Sequence, residues 1–195
     1  MAKKSTRELI LGVAATLFAT AGFRRTTMEI IAAAAGRGRR TVYMYFENKA
    51  EIYNAVVDRE LALIISPLKA IISSGVSPEK TVRDYARMRL EGIKSLLDRN
   101  PLLMKDFSQS HNRIERLREK LYSLELKIVA PYFKSIASPG KNHSSDPEAI
   151  AISFLNMLRG NDRMLTAGGN YQRAVELADL ASDIILTGIE SIRIR

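Results

Sequence analysis

Apolar side chains recur along this chain at intervals of three and four residues. Leu9, Ile10, Val13, Ala14, Leu17 and Phe18 make one such stripe, which Gly22 is expected to end. Ile114, Leu117, Leu121, Leu124, Ile128 and Phe133 make a second, and Val175, Leu177, Leu180, Ile184, Ile185, Ile189 and Ile192 a third. This is the spacing of a helix that buries one side. No alternating β-branched segment is joined to a hairpin turn, so the pattern predicts an all-α fold.

Helix starts punctuate the pattern. Ser5 with Glu8, Thr26 with Glu29 and Asn48 with Glu51 each set a capping side chain three residues before a carboxylate, which marks three short N-terminal helices. Ser77-Pro78, Asn100-Pro101 and Asp146-Pro147 place a cap before a first-turn proline and mark the longer helices that follow. A fourth helix is expected from Asn48 to about Ser66. The segment SPGKNHSSD, residues 138–146, reads as a loop between two long helices. The division expected is an N-terminal three-helix domain over residues 1–50 and a helical C-terminal domain over 51–195.

Charge adds a partner to this outline. The net charge is +9, and residues 1–50 hold nine basic side chains against three acidic ones. That asymmetry points to a polyanion, either nucleic acid or an anionic membrane surface, although a solvated basic face has the same composition. There is no cysteine, which excludes disulfides, thiolate metal sites and a cysteine nucleophile. The opening MAKKSTRELI lacks the apolar run of a signal peptide, and no stretch comes near the roughly 18 apolar residues of a membrane span. A cytoplasmic location without membrane attachment is expected.

The densest chemistry lies in GRGRRTVYMYF, residues 36–46. Helix 2 is expected to bury Met28, Ile31, Ala32 and Ala35 and to stop at Gly36. Val42 and Phe46, four apart, share a face, and burying it leaves Arg39, Arg40, Thr41, Tyr43 and Met44 on the outer sides. A helix, a tight glycine-containing turn and a short basic helix make a helix-turn-helix. Arginines flanking a turn do not form the long amphipathic face of a membrane-surface helix.

From Arg7 to Val57 the chain, with LFATAGFRRTTMEIIAAAAG followed by RRTVYMYFENKAEIYNAVV, resembles the N-terminal DNA-binding domain of TetR-family transcriptional regulators. In that family G-[FY]-x-x-[TS]-T precedes helix 2 and T-[LV]-Y-x-[HY]-F-x-x-K closes the recognition helix. The resemblance implies that Thr27 meets DNA phosphate, that Arg39, Arg40 and Thr41 open the recognition helix, and that Tyr43, Met44 and Tyr45 stand at the groove. It implies that Lys49 opens helix 4 against phosphate. The chain departs from the family pattern at Arg37-Gly38 and Arg40, where relatives have a small apolar residue then serine, and a glycine. A looser turn or an arginine reaching phosphate would account for Arg37. Three arginines in four residues suit bidentate reading of guanine.

For residues 60–195 the resemblance is architectural and implies a ligand-binding and dimerisation domain. Tyr85, Met88, Phe107, His111, Tyr122, Phe154, Met157 and Met164 suit an apolar pocket with polar handles for an unidentified small-molecule effector, although a methionine or aromatic on a helical stripe is more often plain core. The penultimate helix carries Ile152, Leu155, Leu158 and Leu165, and the last, with Leu177, Leu180, Ile184, Ile185 and Ile192, is apolar over more than one face, a surplus that suggests a homodimer interface on these two helices. Two isolated histidines, His111 and His143, with no metal spacing or nucleotide-binding loop, argue against an enzyme, a metal or a cofactor. The expected function is a ligand-responsive repressor that binds a pseudo-palindromic DNA operator as a homodimer.

Overall fold

A computed structural model describes residues 5–101, 111–136, 146–166 and 170–193. The described elements are helical throughout: α1 (Thr6–Arg25), α2 (Met28–Ala34), α3 (Arg39–Tyr43), α4 (Lys49–Ile72), α5 (Pro78–Arg99), α6 (His111–Ile136), α7 (Pro147–Thr166) and α8 (Tyr171–Arg193). The expected loop over residues 138–146 lies outside the described residues except for Asp146. The chain divides into two compact units, Met1–Ala62 with Leu96–Ile114 and Leu63–Ser95 with Glu115–Arg195. A division at residue 50 would separate α4 from the core it completes, because Ile52 and Val56 are buried among Ile10, Ala14, Ile31, Val42 and Phe46. α4 also runs past the expected end at Ser66. Pro67 sits inside it, and burial of Leu61, Ile64, Ile65 and Leu68 offsets the hydrogen bond that proline removes.

In the first unit the capping signals hold with one shift. Ser5 Oγ accepts from the Glu8 amide at 3.2 Å and Asn48 Oδ1 from the Glu51 amide at 3.0 Å. Helix α2, however, is capped by Thr27, whose Oγ1 accepts from the Ile30 amide at 3.3 Å. Thr26 is buried instead, and its hydroxyl donates to the Gly22 carbonyl at 2.9 Å. Gly22, at φ 80°, breaks the helical path as expected, but a further turn carries α1 to Arg25. By length and composition α1 is long and apolar enough to cross a membrane, contrary to the sequence expectation. Its Ile10, Leu11, Ala14 and Phe18 are engaged in the core shared by α1 to α4, which accounts for its apolar character.

The second unit is organised around a buried ionic cluster that the sequence reading missed. Arg89 of α5, 1% exposed, donates from Nε to Glu125 Oε1 of α6 at 2.7 Å and from its two terminal nitrogens to Asp162 of α7 at 2.7 and 3.2 Å. The Tyr85 hydroxyl donates to the same Glu125 oxygen at 3.0 Å. Burial pushes the Glu125 carboxyl above its ordinary range, with Arg89 opposing the rise. Phe154 packs between Tyr85 and Phe133, with ring centroids at 6.0 and 5.6 Å.

Of the expected pocket residues, Tyr85 and Phe154 are buried, and Tyr122, Met157 and Met164 are partly buried. Met88 does not fit that role, because its position on α5 leaves it 37% exposed. Phe107 and the His111 side chain lie outside the described residues. The expected dimer residues also separate. Leu155 and Leu158 are fully buried within the chain and Ile185 is 9% exposed, so these three belong to the intramolecular core. Leu165 and Leu177 are partly buried, and the side chain of Ile192 lies outside the described residues. Leu180 and Ile184 are each 53% exposed. They lie one turn apart on α8, beside Asp179 and Asp183, which pair with Arg87 and Arg83 of α5.

Candidate nucleic-acid interface

The turn between α2 and α3 is closed by two backbone bonds. The Gly36 amide donates to the Ala33 carbonyl and the Arg37 amide to the Ala32 carbonyl, each at 3.0 Å. This is the Schellman arrangement, and it requires a left-handed residue at its apex, where Gly36 has φ 59°. Arg37 therefore does not loosen the turn. It is exposed, and its guanidinium donates to the Gly36 carbonyl at 3.2 Å.

Gly38 then starts α3 without a side-chain cap. Five residues of helix give Val42 and, just beyond, Phe46 to the core at 0% and 2% exposure. The Arg7 guanidinium covers the Phe46 ring at 5.2 Å. With that face buried, Arg39, Arg40, Tyr43, Met44 and Tyr45 all face outward, and Met44 is 77% exposed. Thr41 is partly buried, while Thr27, Arg37 and Gly38 are exposed. An apolar side chain so exposed beside arginines and tyrosines gains nothing from the core, and it suits contact with base edges and thymine methyls.

Two basic residues already have partners. Arg39 lies 3.0 Å from Glu29 of α2, and its guanidinium stands 5.6 Å from the Tyr43 ring centroid. Tyr43 first, then Glu29, favours the charged form of Arg39. Arg40 has no ion-pair partner among the described residues.

Lys49 is placed differently from what the family pattern implies. Its partly buried ammonium donates to the Phe23 and Thr26 carbonyls at 2.8 and 2.7 Å and lies 4.3 Å from the Phe23 ring centroid. Two of the three ammonium protons thus satisfy carbonyls at the end of α1 and fasten α4 to it. Phe23 also packs against Phe18 and Tyr53, with centroids at 5.8 and 5.1 Å. Lys49 acts as an internal tie, and the sequence motif that marks its position carries no sign of that geometry.

Comparison with known proteins agrees with this arrangement. Residues 10–56 match the family model described as "Bacterial regulatory proteins, tetR family". The chain is 32% identical over 90 residues to the HTH-type transcriptional regulator RutR of Escherichia coli strain K12, a match spanning 46% of this chain and 42% of RutR. It is 24% identical over 156 residues to the uncharacterized HTH-type transcriptional regulator YhgD of Bacillus subtilis, covering 77% of this chain and 79% of that protein. Among solved structures it is similar to SmeT, the repressor of the Stenotrophomonas maltophilia multidrug efflux pump SmeDEF. There the TM-score is 0.70 at 22% identity, over 95% of this chain and 90% of SmeT. The matched segment coincides with the helix-turn-helix core, so residues 10–56 carry the DNA-binding segment of the tetR family, and the chain is similar to HTH-type transcriptional regulators.

Proposed function

We propose that the protein is a ligand-responsive repressor that binds a pseudo-palindromic operator as a homodimer. The observation carrying this reading is the outward face of the recognition helix. Arg39, Arg40, Tyr43, Met44 and Tyr45 are exposed around a helix of only five residues. So short a helix reads a few base pairs, and a second copy one helical turn of DNA away supplies the rest of the site. Thr27, Arg37 and Thr41 flank this face and supply phosphate contacts. A role in repression accords with SmeT's description as a repressor, and DNA as partner implies action in the cytoplasm.

Leu180 and Ile184 support the dimer. They form an exposed apolar strip on α8, while Ala174, Ala178, Ala181 and Ile185 of the same helix are buried within the subunit. A helix that needs one buried stripe for its own fold and carries a second is suited to an intersubunit helix bundle. The effector response is assigned to the second unit. Tyr85, Phe154, Tyr122 and Met157 remain the candidate contacts, with the Tyr85–Arg89–Glu125–Asp162 network supplying polar handles. α4 begins in the core of the first unit and continues into the second. A ligand that shifts α4 alters the placement of α3, and a preference of about 1 to 3 kcal/mol between two such states changes DNA affinity several-fold or more.

Selection of bound sequences from random duplex DNA tests the reading. A consensus with two inverted half-sites about one helical turn apart is expected. Recovery of no consensus, or of a single unrepeated half-site, would overturn it.

A further inference from the structure

Glu29 is an acidic side chain in the most basic quarter of the chain, exposed on the helix that precedes the recognition helix. It faces the region where a polyanion is to bind, and for affinity alone a carboxylate there is unfavourable. The geometry gives it another use. Its Oε1 lies 3.0 Å from a terminal nitrogen of Arg39, the first residue of α3. On its other side the Arg39 guanidinium meets the Tyr43 ring.

Arg39 is therefore held from two directions by side chains on two helices, whose separation is fixed by the Schellman turn and by burial of Ile31, Val42 and Phe46. An arginine reads guanine through two parallel hydrogen bonds and must present its planar fork in one orientation. A free arginine beside DNA has an alternative, because any phosphate will accept it regardless of sequence. We propose that Glu29 is a positioning residue for base recognition: it holds Arg39 over Tyr43, away from the phosphates, and so sets sequence specificity at the expense of general DNA affinity. Arg40, without an ion-pair partner among the described residues, lacks this restraint.

The inference rests on the proposed reading of α3 as the base-reading helix, and its test separates the two. DNA sequences selected by the wild-type protein serve as the specific probe and scrambled duplexes of the same composition as the nonspecific one. Glu29→Gln keeps the shape and removes the charge. It should bind scrambled DNA more tightly and lower the ratio of specific to nonspecific affinity by about two- to fivefold per recognition helix, the range available to an exposed ion pair.

Repeating the selection with Glu29→Gln and with Arg39→Ala should relax the consensus at the same base pair in each half-site. The two substitutions combined should cost less specificity than their separate effects predict. Glu29→Asp, one methylene shorter, should retain part of the preference. Loss of a merely structural contact would lower the melting temperature and weaken both probes alike, without singling out one base pair. An unchanged or increased specificity ratio, relaxation at unrelated positions, or additive effects of the two substitutions would overturn the proposal. Failure of the wild-type protein to select any consensus would instead strike the reading of α3 itself.

Discussion

Replacing Arg89 with methionine separates two accounts of the second unit's interior. Methionine is close to arginine in length and is flexible enough to fill most of the vacated volume, so the main loss is electrostatic. Arg89 makes three hydrogen bonds of 2.7, 2.7 and 3.2 Å to two carboxylates. Glu125 is wholly buried and Asp162 is 9% exposed. Without the guanidinium, two carboxylates on different helices remain in the interior with no cation between them. Breaking a buried pair in this way costs about 3 to 5 kcal/mol, a large share of the roughly 5 to 15 kcal/mol that a domain has in total.

Urea unfolding followed by circular dichroism measures the effect as the transition of the second unit. With a slope of about 2 kcal/mol per molar, the midpoint should fall by roughly 1.5 to 2.5 M. The deficit should also depend on pH with a definite sign. Burial raises the Glu125 carboxyl and Arg89 opposes that rise, so removing Arg89 raises it further. A carboxyl whose folded value exceeds its unfolded one contributes stability below the unfolded value and loses it as pH rises through the folded one. The Arg89→Met protein should therefore recover part of its deficit at about pH 5.5 relative to about pH 8. A loss under about 1 kcal/mol at neutral pH with an unchanged slope, or a deficit that grows on acidification, would refute the reasoning, since either would mean that the carboxylates are not held in place by the arginine.

Lys49→Ala should lower the melting temperature of the first unit and weaken binding to all DNA sequences alike, because two charge-assisted bonds to α1 carbonyls are lost at about 1.5 to 3 kcal/mol each. The slope of log affinity against log salt should stay unchanged, and a decrease by roughly 1 would show that the ammonium contacts phosphate instead. On α8, Ile184→Glu should give a folded monomer in sedimentation velocity with weak operator binding. Its neighbour Ile185→Glu, which places the charge in the subunit's own core, should lower the melting temperature. An Ile184→Glu protein that remained fully dimeric would remove α8 from the interface.

What the sequence disclosed depended on whether a feature was local or assembled from distant parts of the chain. Gly36 as a helix terminator and Val42 with Phe46 as a buried pair follow from spacings of a few residues, and the structure has them in those roles. Thr26 and Thr27 are adjacent and chemically identical, and the three-residue spacing to Glu29 selects Thr26; the Gly22 carbonyl takes the Thr26 hydroxyl and leaves Thr27 to cap α2. The apolar stripe also overrides proline in α4. Leu68 continues the periodicity of Leu61, Ile64 and Ile65, and a reading that stops at Pro67 gives the missing amide more weight than the burial beyond it.

Arg89, Glu125 and Asp162 stand 36 and 37 positions apart along the chain, and each is unremarkable on its own helix. One signal was available. Arg89 precedes the buried Leu90 and follows Tyr85 and Ala86 by one turn, so it lies on the inward side of α5, and an arginine there requires carboxylates from other helices. Counting apolar residues passes over it as a solvated charge. The same confusion operates in reverse on α8. Ile184 and Ile185 are equivalent in composition and one residue apart, yet 100° of helical rotation buries one and leaves the other exposed. A stripe wider than its own subunit needs is legible as surplus, but which of its members form the surplus is decided by the helix packed beneath it.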